Sequence, residues 1–377
     1  MADTTSKRIA YLDWLRGFAC LVMFQTHCYD SWLGGAARSS GFFKLSQLGG
    51  TLPAPLFLFL AGVSFALVTE RLRRKGASPD EIARATVLRG GEILFFGLLF
   101  RLQEFVLGQP WAPWTDLLRV DVLNVIGVSL MMLGVACRIA ASGAPTGLAQ
   151  LRRATIVAGV LGAGAIACLT PLLWTSWSPQ ALPWWLESYV NGVHTFGKPQ
   201  PWLFPVFPWA AFAFAGLAVG SLLQSDWVRK HEASALTLVG SGGAALIVLA
   251  LRLDASAVHL YSAYDFWHTS PNFFLVRVGV VSMVMLMAYA WCRWGAGEWG
   301  FSPLIEMGKC SLLVYWVHIE FVYGRFSILP KGSEGIGMAT IGLAVIFAAM
   351  TALATIRNRF PKWRPQMLAL VRGAERT

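Results

Sequence analysis

The chain has 377 residues and a mass of 41.3 kDa; 56% of its residues are hydrophobic and 14% charged, with a mean hydropathy of +0.55 and a formal net charge of +11. Soluble domains carry about 25% charged residues, so this composition excludes a disordered chain, a coiled coil, a collagen-like chain and an ordinary cytosolic enzyme. It points to an all-α polytopic membrane protein, with room for roughly ten spans of about 20 apolar residues joined by short loops.

Apolar runs bounded by charge, Pro or Gly predict spans over about residues 9–29, 52–71, 88–107, 122–140, 154–174, 203–223, 235–253, 273–292, 303–323 and 336–356. The first run carries Asp13 and Arg16 near its start, and no small-residue cleavage site follows it, so it reads as a span and not as a cleaved leader. With the N-terminus placed in the cytoplasm, 20 of the 31 Lys and Arg fall in cytoplasmic segments. Only six are external: Arg38, Lys44, Arg119, Lys198, Arg325 and Lys331. That asymmetry follows the positive-inside rule and predicts an even number of spans with both termini cytoplasmic. It also makes the basic excess topological, which argues against a nucleic-acid partner. The organisation expected is one membrane domain over 1–356 and a basic cytoplasmic tail over 357–377.

Between the spans, the segment 175–202 is rich in Trp and Pro, and its indoles suit the membrane–water interface. The six cysteines lie in or beside apolar runs with no CxxC pair, so free thiols are expected, and neither a disulfide framework nor a metal site. GVLGAG at 159–164 spells a dinucleotide fingerprint but sits inside a span, where small residues serve close helix packing.

Ionisable groups inside a span are costly and mark functional sites by default. Counted at 1.5 Å per residue, His27 lies about 27 Å along the first span and His318 about 22 Å along the ninth. Arg101 and Glu104 near the end of the third run, Asp121 and Asn124 at the start of the fourth, and Arg277 on the eighth fall at similar depth toward the outer face. His27 and Asp30 are i,i+3 and share a helix face, an arrangement that suits a carboxylate orienting a general base. A purely hydrogen-bonding role for each histidine, and a structural ion pair for Arg101, remain open from spacing alone. Toward the cytoplasm, Asp13 with Arg16 and Glu306 with Lys309 repeat the i,i+3 spacing. They read either as structural pairs or, with the basic loop 71–89, as an electropositive mouth for a phosphate-bearing donor. His194 in NGVHTFG reads as an ordinary histidine of the external loop, with contact to an outside substrate as the alternative.

YLDWLRGFACLVMFQTH at 11–27 resembles the opening of membrane acyltransferases. These are the type-3 group and, more closely, bacterial relatives of heparan-α-glucosaminide N-acetyltransferase. PLFLFLAGVSFAL at 55–67, DVLNVIGVSL at 121–130, FPVFPWAAFAFAGLAVG at 204–220 and GKCSLLVYWVHIE at 308–320 fit the same pattern in order. The resemblance implies transfer of an acyl group, usually acetyl, from cytosolic acyl-CoA as co-substrate, without a metal. The acceptor it implies is a sugar-like hydroxyl or amine on the far side of a bacterial inner membrane. It implies His27 as the catalytic base, with Asp30 beside it. Arg16, Arg73, Arg74 and Lys309 are then candidates for the donor phosphates, and Asp121, Asn124, His318, Arg101 and Arg277 for the acceptor. The expected partners are the acyl donor, the carbohydrate-like acceptor and the bilayer, with homodimerisation left open. The competing classes are a transporter or flippase for a glycan or lipid-linked substrate, and a membrane scaffold.

Overall fold

The computed structural model describes residues 9–143, 147–179, 181–192, 204–256, 260–261, 265–294 and 300–359. In chain order the helices are α1 (Ala10–Trp32), α2 (Gly35–Arg38), α3 (Gly41–Gly50), α4 (Pro53–Arg74), α5 (Pro79–Leu107), α6 (Val122–Ser142), α7 (Leu148–Trp174) and α8 (Trp184–Val190). They continue as α9 (Val206–Leu223), α10 (Asp226–Lys230), α11 (Glu232–Asp254), α12 (Pro271–Trp294), α13 (Pro303–Lys309), α14 (Ser311–Val322) and α15 (Ile336–Arg359). Each of the ten predicted runs is helical, and no strand forms among the described residues. Among the described residues, seven helical stretches are long and apolar enough to cross a membrane. The chain is thus an all-α polytopic membrane protein. His194 and most of the tail 357–377 lie outside the described residues.

The ninth run differs from the continuous helix expected of it. It breaks at Cys310, whose φ −133° and ψ 36° are not helical, and so becomes α13 and α14. The break follows Gly308, a residue with low helix propensity. The backbone groups it frees are re-bonded locally: Cys310 N–H donates to Met307 O at 3.1 Å, and Val314 N–H to Cys310 O at 3.2 Å. Broken helices persist in membranes only where such groups are satisfied.

Two compact units divide the chain, one formed by residues 1–50 with 290–377 and the other by residues 51–289. In the first, α1 packs on α13, α14 and α15, with α3 against its side. The helices α1 and α13 approach at backbone distance: a Cβ added to Gly17 would lie 1.8 Å from Leu304 O, and one added to Gly308 would lie 1.7 Å from Asp13 O. Residues 13–17 therefore face 304–308, while 27–32 face 318–327, so α1 and α13–α14 run parallel. Tyr29 meets Thr340 while Met307 meets Thr351, which makes α15 antiparallel to both. Past α1 and α14 the backbone is knitted into a cap, with Gly332, Ser333 and Glu334 N–H donating to Ser31 O or Trp32 O and Gly34 N–H donating to Glu334 O.

In the second unit α9 is the most enclosed helix, flanked by α4, α6 and α7. Close approach again rests on glycine: Cβ atoms at Gly62 and Gly216 would meet Ala213 O at 1.9 Å and Phe59 O at 2.0 Å. Phe212, Ala213 and Leu217 are fully buried in this core. Two of the three glycines of GVLGAG do the same kind of work, since Gly159 faces Ala218 and Phe214 of α9, and Gly162 lies against the Phe214 ring, while Gly164 faces open space.

Candidate active site

The first unit brings two of the predicted residues into direct contact. His27 on α1 is partly buried, and its Nδ1 lies 2.9 Å from Nε2 of His318 on α14. The rings are 8° from parallel with centroids 5.2 Å apart. His318 is fully buried. Phe24 and Tyr315 wall it at ring-centroid distances of 4.7 and 5.8 Å.

The second nitrogen of His318 fixes the proton pattern. Its Nδ1 is 3.1 Å from Val314 O, and a carbonyl can only accept, so Nδ1 carries a proton. A neutral His318 then offers Nε2 as an acceptor, and His27 Nδ1–H donates to it. The lone pair of His27 is left on Nε2, the tautomer a general base requires. This is the arrangement of a base held in one tautomer and orientation by a buried partner.

Asp30, expected to orient His27, has its carboxylate elsewhere. Its Oδ2 accepts from the Tyr323 hydroxyl at 2.8 Å and its Oδ1 faces Arg38 Nη1 at 3.6 Å. The Tyr323 ring stands edge-on to His27 at 5.3 Å, so Asp30 reaches the imidazole through a tyrosine. The Asp30–Arg38 pair is about half exposed and contributes little to stability.

At the N-terminal end of α1, both i,i+3 pairs form. Arg16 Nη1 donates to Asp13 Oδ1 at 2.7 Å, and Lys309 Nζ to Glu306 Oε1 at 2.7 Å. Asn358 on α15 adds bonds to Glu306 O and Oε2 at 2.9 and 2.8 Å. Each basic side chain here is paired within its own helix and remains partly accessible, at 26% for Arg16 and 29% for Lys309.

Asp121, Asn124 and Arg101 gather in the second unit. Asp121 caps α6: its Oδ1 accepts from Val122 N–H at 2.6 Å, and its own N–H donates to Asn124 Oδ1 at 3.2 Å. Its Oδ2 faces Arg101 Nη2 at 3.4 Å, both side chains being largely buried. Asn124 Nδ2 donates to Tyr189 Oη at 3.1 Å, and Gly97 leaves room for the amide, since a Cβ there would fall 2.9 Å from Asn124 Oδ1. Arg277 makes different contacts, with Nη2 donating to Trp267 O at 3.3 Å and its guanidinium 4.0 Å from the Phe273 ring centroid and 5.5 Å from that of Trp209. Of the proposed phosphate ligands here, Arg74 pairs with Glu70 at 3.2 Å and Arg73 Nη2 donates to Thr155 Oγ1 at 2.9 Å.

Several participants carry no sequence signal. Tyr323 and Tyr189 sit outside the apolar runs' charged positions and are reached only through tertiary contact. A carboxylate–imidazole dyad does occur at i,i+3, but between Asp265 and His268 on an exposed segment before α12. Burial alone would raise the Asp265 carboxyl. The bonds from His268 and from Trp267 N–H outweigh it and hold the group below the ordinary aspartate value. Glu70, isolated among arginines four residues before Arg74, is the one missed residue whose spacing could have flagged a buried pair.

Among the described residues, no group of three or more His, Cys, Asp or Glu is placed to hold a metal ion. No curated protein sequence gives a significant match to the chain. Residues 8–251 match the sequence model of the heparan-α-glucosaminide N-acetyltransferase catalytic domain, a stretch that contains His27 but ends before His318. The chain therefore belongs to the heparan-α-glucosaminide N-acetyltransferase catalytic-domain family.

Proposed function

We propose that the chain transfers an acetyl group from acetyl-CoA to a hydroxyl or amine of a sugar-like acceptor, with His27 as general base. The observation that carries this reading is the His27–His318 pair, whose bonds leave the lone pair of the more accessible imidazole on Nε2. His27 Nε2 takes the proton from the acceptor O–H or N–H as the new bond to the acetyl carbon forms. The C–S bond breaks, and His27 returns the proton to the departing CoA thiolate, so the step balances without a further reactant. His318 holds the tautomer and shares the transient charge. Tyr323 and Asp30 border the base on its other side.

The donor enters at the end of the first unit that carries Arg16 and Lys309, whose partial exposure leaves them able to meet phosphate oxygens. Arg16 and His27 are separated by about 16 Å of helix rise, a distance for an extended pantetheine arm to bridge. The positive-inside asymmetry supports a cytoplasmic position for that end and an outer position for His27, where the acceptor would arrive; a bacterial inner membrane is what the family resemblance implies.

The test is CoA release from acetyl-CoA by detergent-solubilised protein with a pool of amino sugars and polyols, His27→Ala run in parallel. Release that depends on His27 supports the reading. A well-folded protein that neither binds nor consumes acetyl-CoA overturns it in favour of a transporter or flippase.

A further inference from the structure

The C-terminal turn of α4 carries more positive charge than its surroundings balance. Glu70 is buried, with 3% of its surface exposed, and its Oε1 receives both Arg152 Nη2 of α7 at 2.5 Å and Arg74 Nη2 at 3.2 Å. Arg73, on the same turn, is only partly accessible and within electrostatic reach of Glu70 and Arg152. Its one hydrogen bond goes to a neutral hydroxyl, Thr155 Oγ1, and among the described residues it forms no ion pair. Two guanidinium groups thus share one carboxylate, and a third beside them has none.

A second observation points the same way. Arg152 is 92% buried, and its Nε has no acceptor. Buried donors without acceptors and buried charge without counter-charge are both costly, and native proteins rarely leave them so. The deficit is two negative charges and an acceptor for Arg152 Nε. A carboxylate or a halide supplies one charge. A phosphate monoester supplies close to two, with three oxygens that match guanidinium forks.

We infer that Arg73, Arg74 and Arg152 form a binding site for a phosphate monoester, with Glu70 as the internal counter-charge that holds the arginines in place. Arg73 is the side chain that the ligand engages most fully, because it alone has no carboxylate to share. Two sources carry this chemistry: a soluble phosphorylated nucleotide, which rests on the acyl-CoA reading above, or the headgroup of phosphatidic acid, which does not.

The experiment uses the full chain. Binding of adenosine 3′,5′-bisphosphate to detergent-solubilised protein is measured by microscale thermophoresis. In parallel, the protein is reconstituted in nanodiscs of phosphatidylcholine with and without phosphatidic acid, and its melting temperature recorded. The expected result is saturable binding of the nucleotide, or a melting-temperature rise specific to phosphatidic acid. Arg73→Gln should weaken the response at least tenfold, or abolish the lipid-specific rise. Arg73→Gln should keep its fold, since it removes only a bond to a hydroxyl, and size-exclusion chromatography checks this. Nucleotide binding assigns the soluble source and a lipid-specific rise the headgroup. Absence of both responses, or a response unchanged in Arg73→Gln, overturns the site. His27-dependent CoA release that persists after such a failure leaves the catalytic reading standing, so the two fail separately.

Discussion

Replacing His318 by alanine should slow acetyl transfer about as much as replacing His27 itself. General-base catalysis contributes about 10²–10⁴ in rate, which is about 2.7–5.4 kcal/mol at 1.36 kcal/mol per tenfold. His27→Ala removes that whole contribution. His318→Ala leaves the imidazole in place but deletes the 2.9 Å bond that fixes its tautomer and orientation, for an expected loss of about 10²–10³. If the two act as one unit, the double variant is no slower than His27→Ala, and the coupling energy equals nearly the whole His318 effect, about 3–4 kcal/mol. His318→Gln provides the control, because an amide oxygen can accept from His27 Nδ1–H and should restore part of the rate. The assay is CoA release at saturating acetyl-CoA, at a temperature where every variant remains folded. That condition matters because emptying a fully buried site costs about 2–4 kcal/mol of stability. His318→Ala within threefold of wild type, or an additive double variant, would refute the paired-imidazole argument.

Tyr323→Phe removes the hydroxyl that bonds Asp30 and leaves both imidazoles untouched, so CoA release should fall less than about tenfold; a loss as deep as that of His318→Ala would move the orienting role to the Tyr323–Asp30 arm. Gly308→Ala puts a Cβ 1.7 Å from Asp13 O and should destabilise by at least about 1–3 kcal/mol, whereas Gly164→Ala, where nothing stands within 4 Å, should be neutral or stabilising by up to about 1 kcal/mol. Thermal melts in detergent compare the two, and equal melting temperatures would contradict the packing. Arg152→Met strands the buried Glu70 with Arg74 alone and should cost about 3 kcal/mol, recovered in large part by adding Glu70→Gln. A neutral single variant would show that the pair is not buried as described.

The helices were legible in the sequence because lipid demands long apolar runs whose backbone is bonded within the segment. Charge, Pro and Gly punctuate those runs cleanly, and the positions of α4, α6 and α9 follow them to within a few residues. The break at Cys310 was not legible, because no proline marks it and the backbone contact between nearby Gly308 and α1 is a tertiary one. The site was legible in its parts. His27 and His318 stand out as ionisable groups in apolar helices. The i,i+3 rule correctly paired Asp13 with Arg16 and Glu306 with Lys309, which lie on single helices. Applied to His27 and Asp30, it found a shared face but not the partner, since the imidazole's bond reaches across 291 residues of sequence. Helical periodicity carries no term for that distance.

The glycine contact and the histidine contact are two ends of one piece of geometry. Gly17 precedes His27 by the same number of residues as Gly308 precedes His318, and α1 runs parallel to α13–α14. Ten residues of helix rise about 15 Å. A backbone-to-backbone contact at one end therefore sets the register that brings the imidazoles level at the other. The break at Cys310 lies between these two points. A side chain at Gly17 or Gly308 would then do more than lower stability. It would part α1 from α13 and carry the 2.9 Å nitrogen–nitrogen contact beyond bonding distance. On the proposed mechanism the glycines would serve the chemistry as well as the packing, although neither lies near the imidazoles.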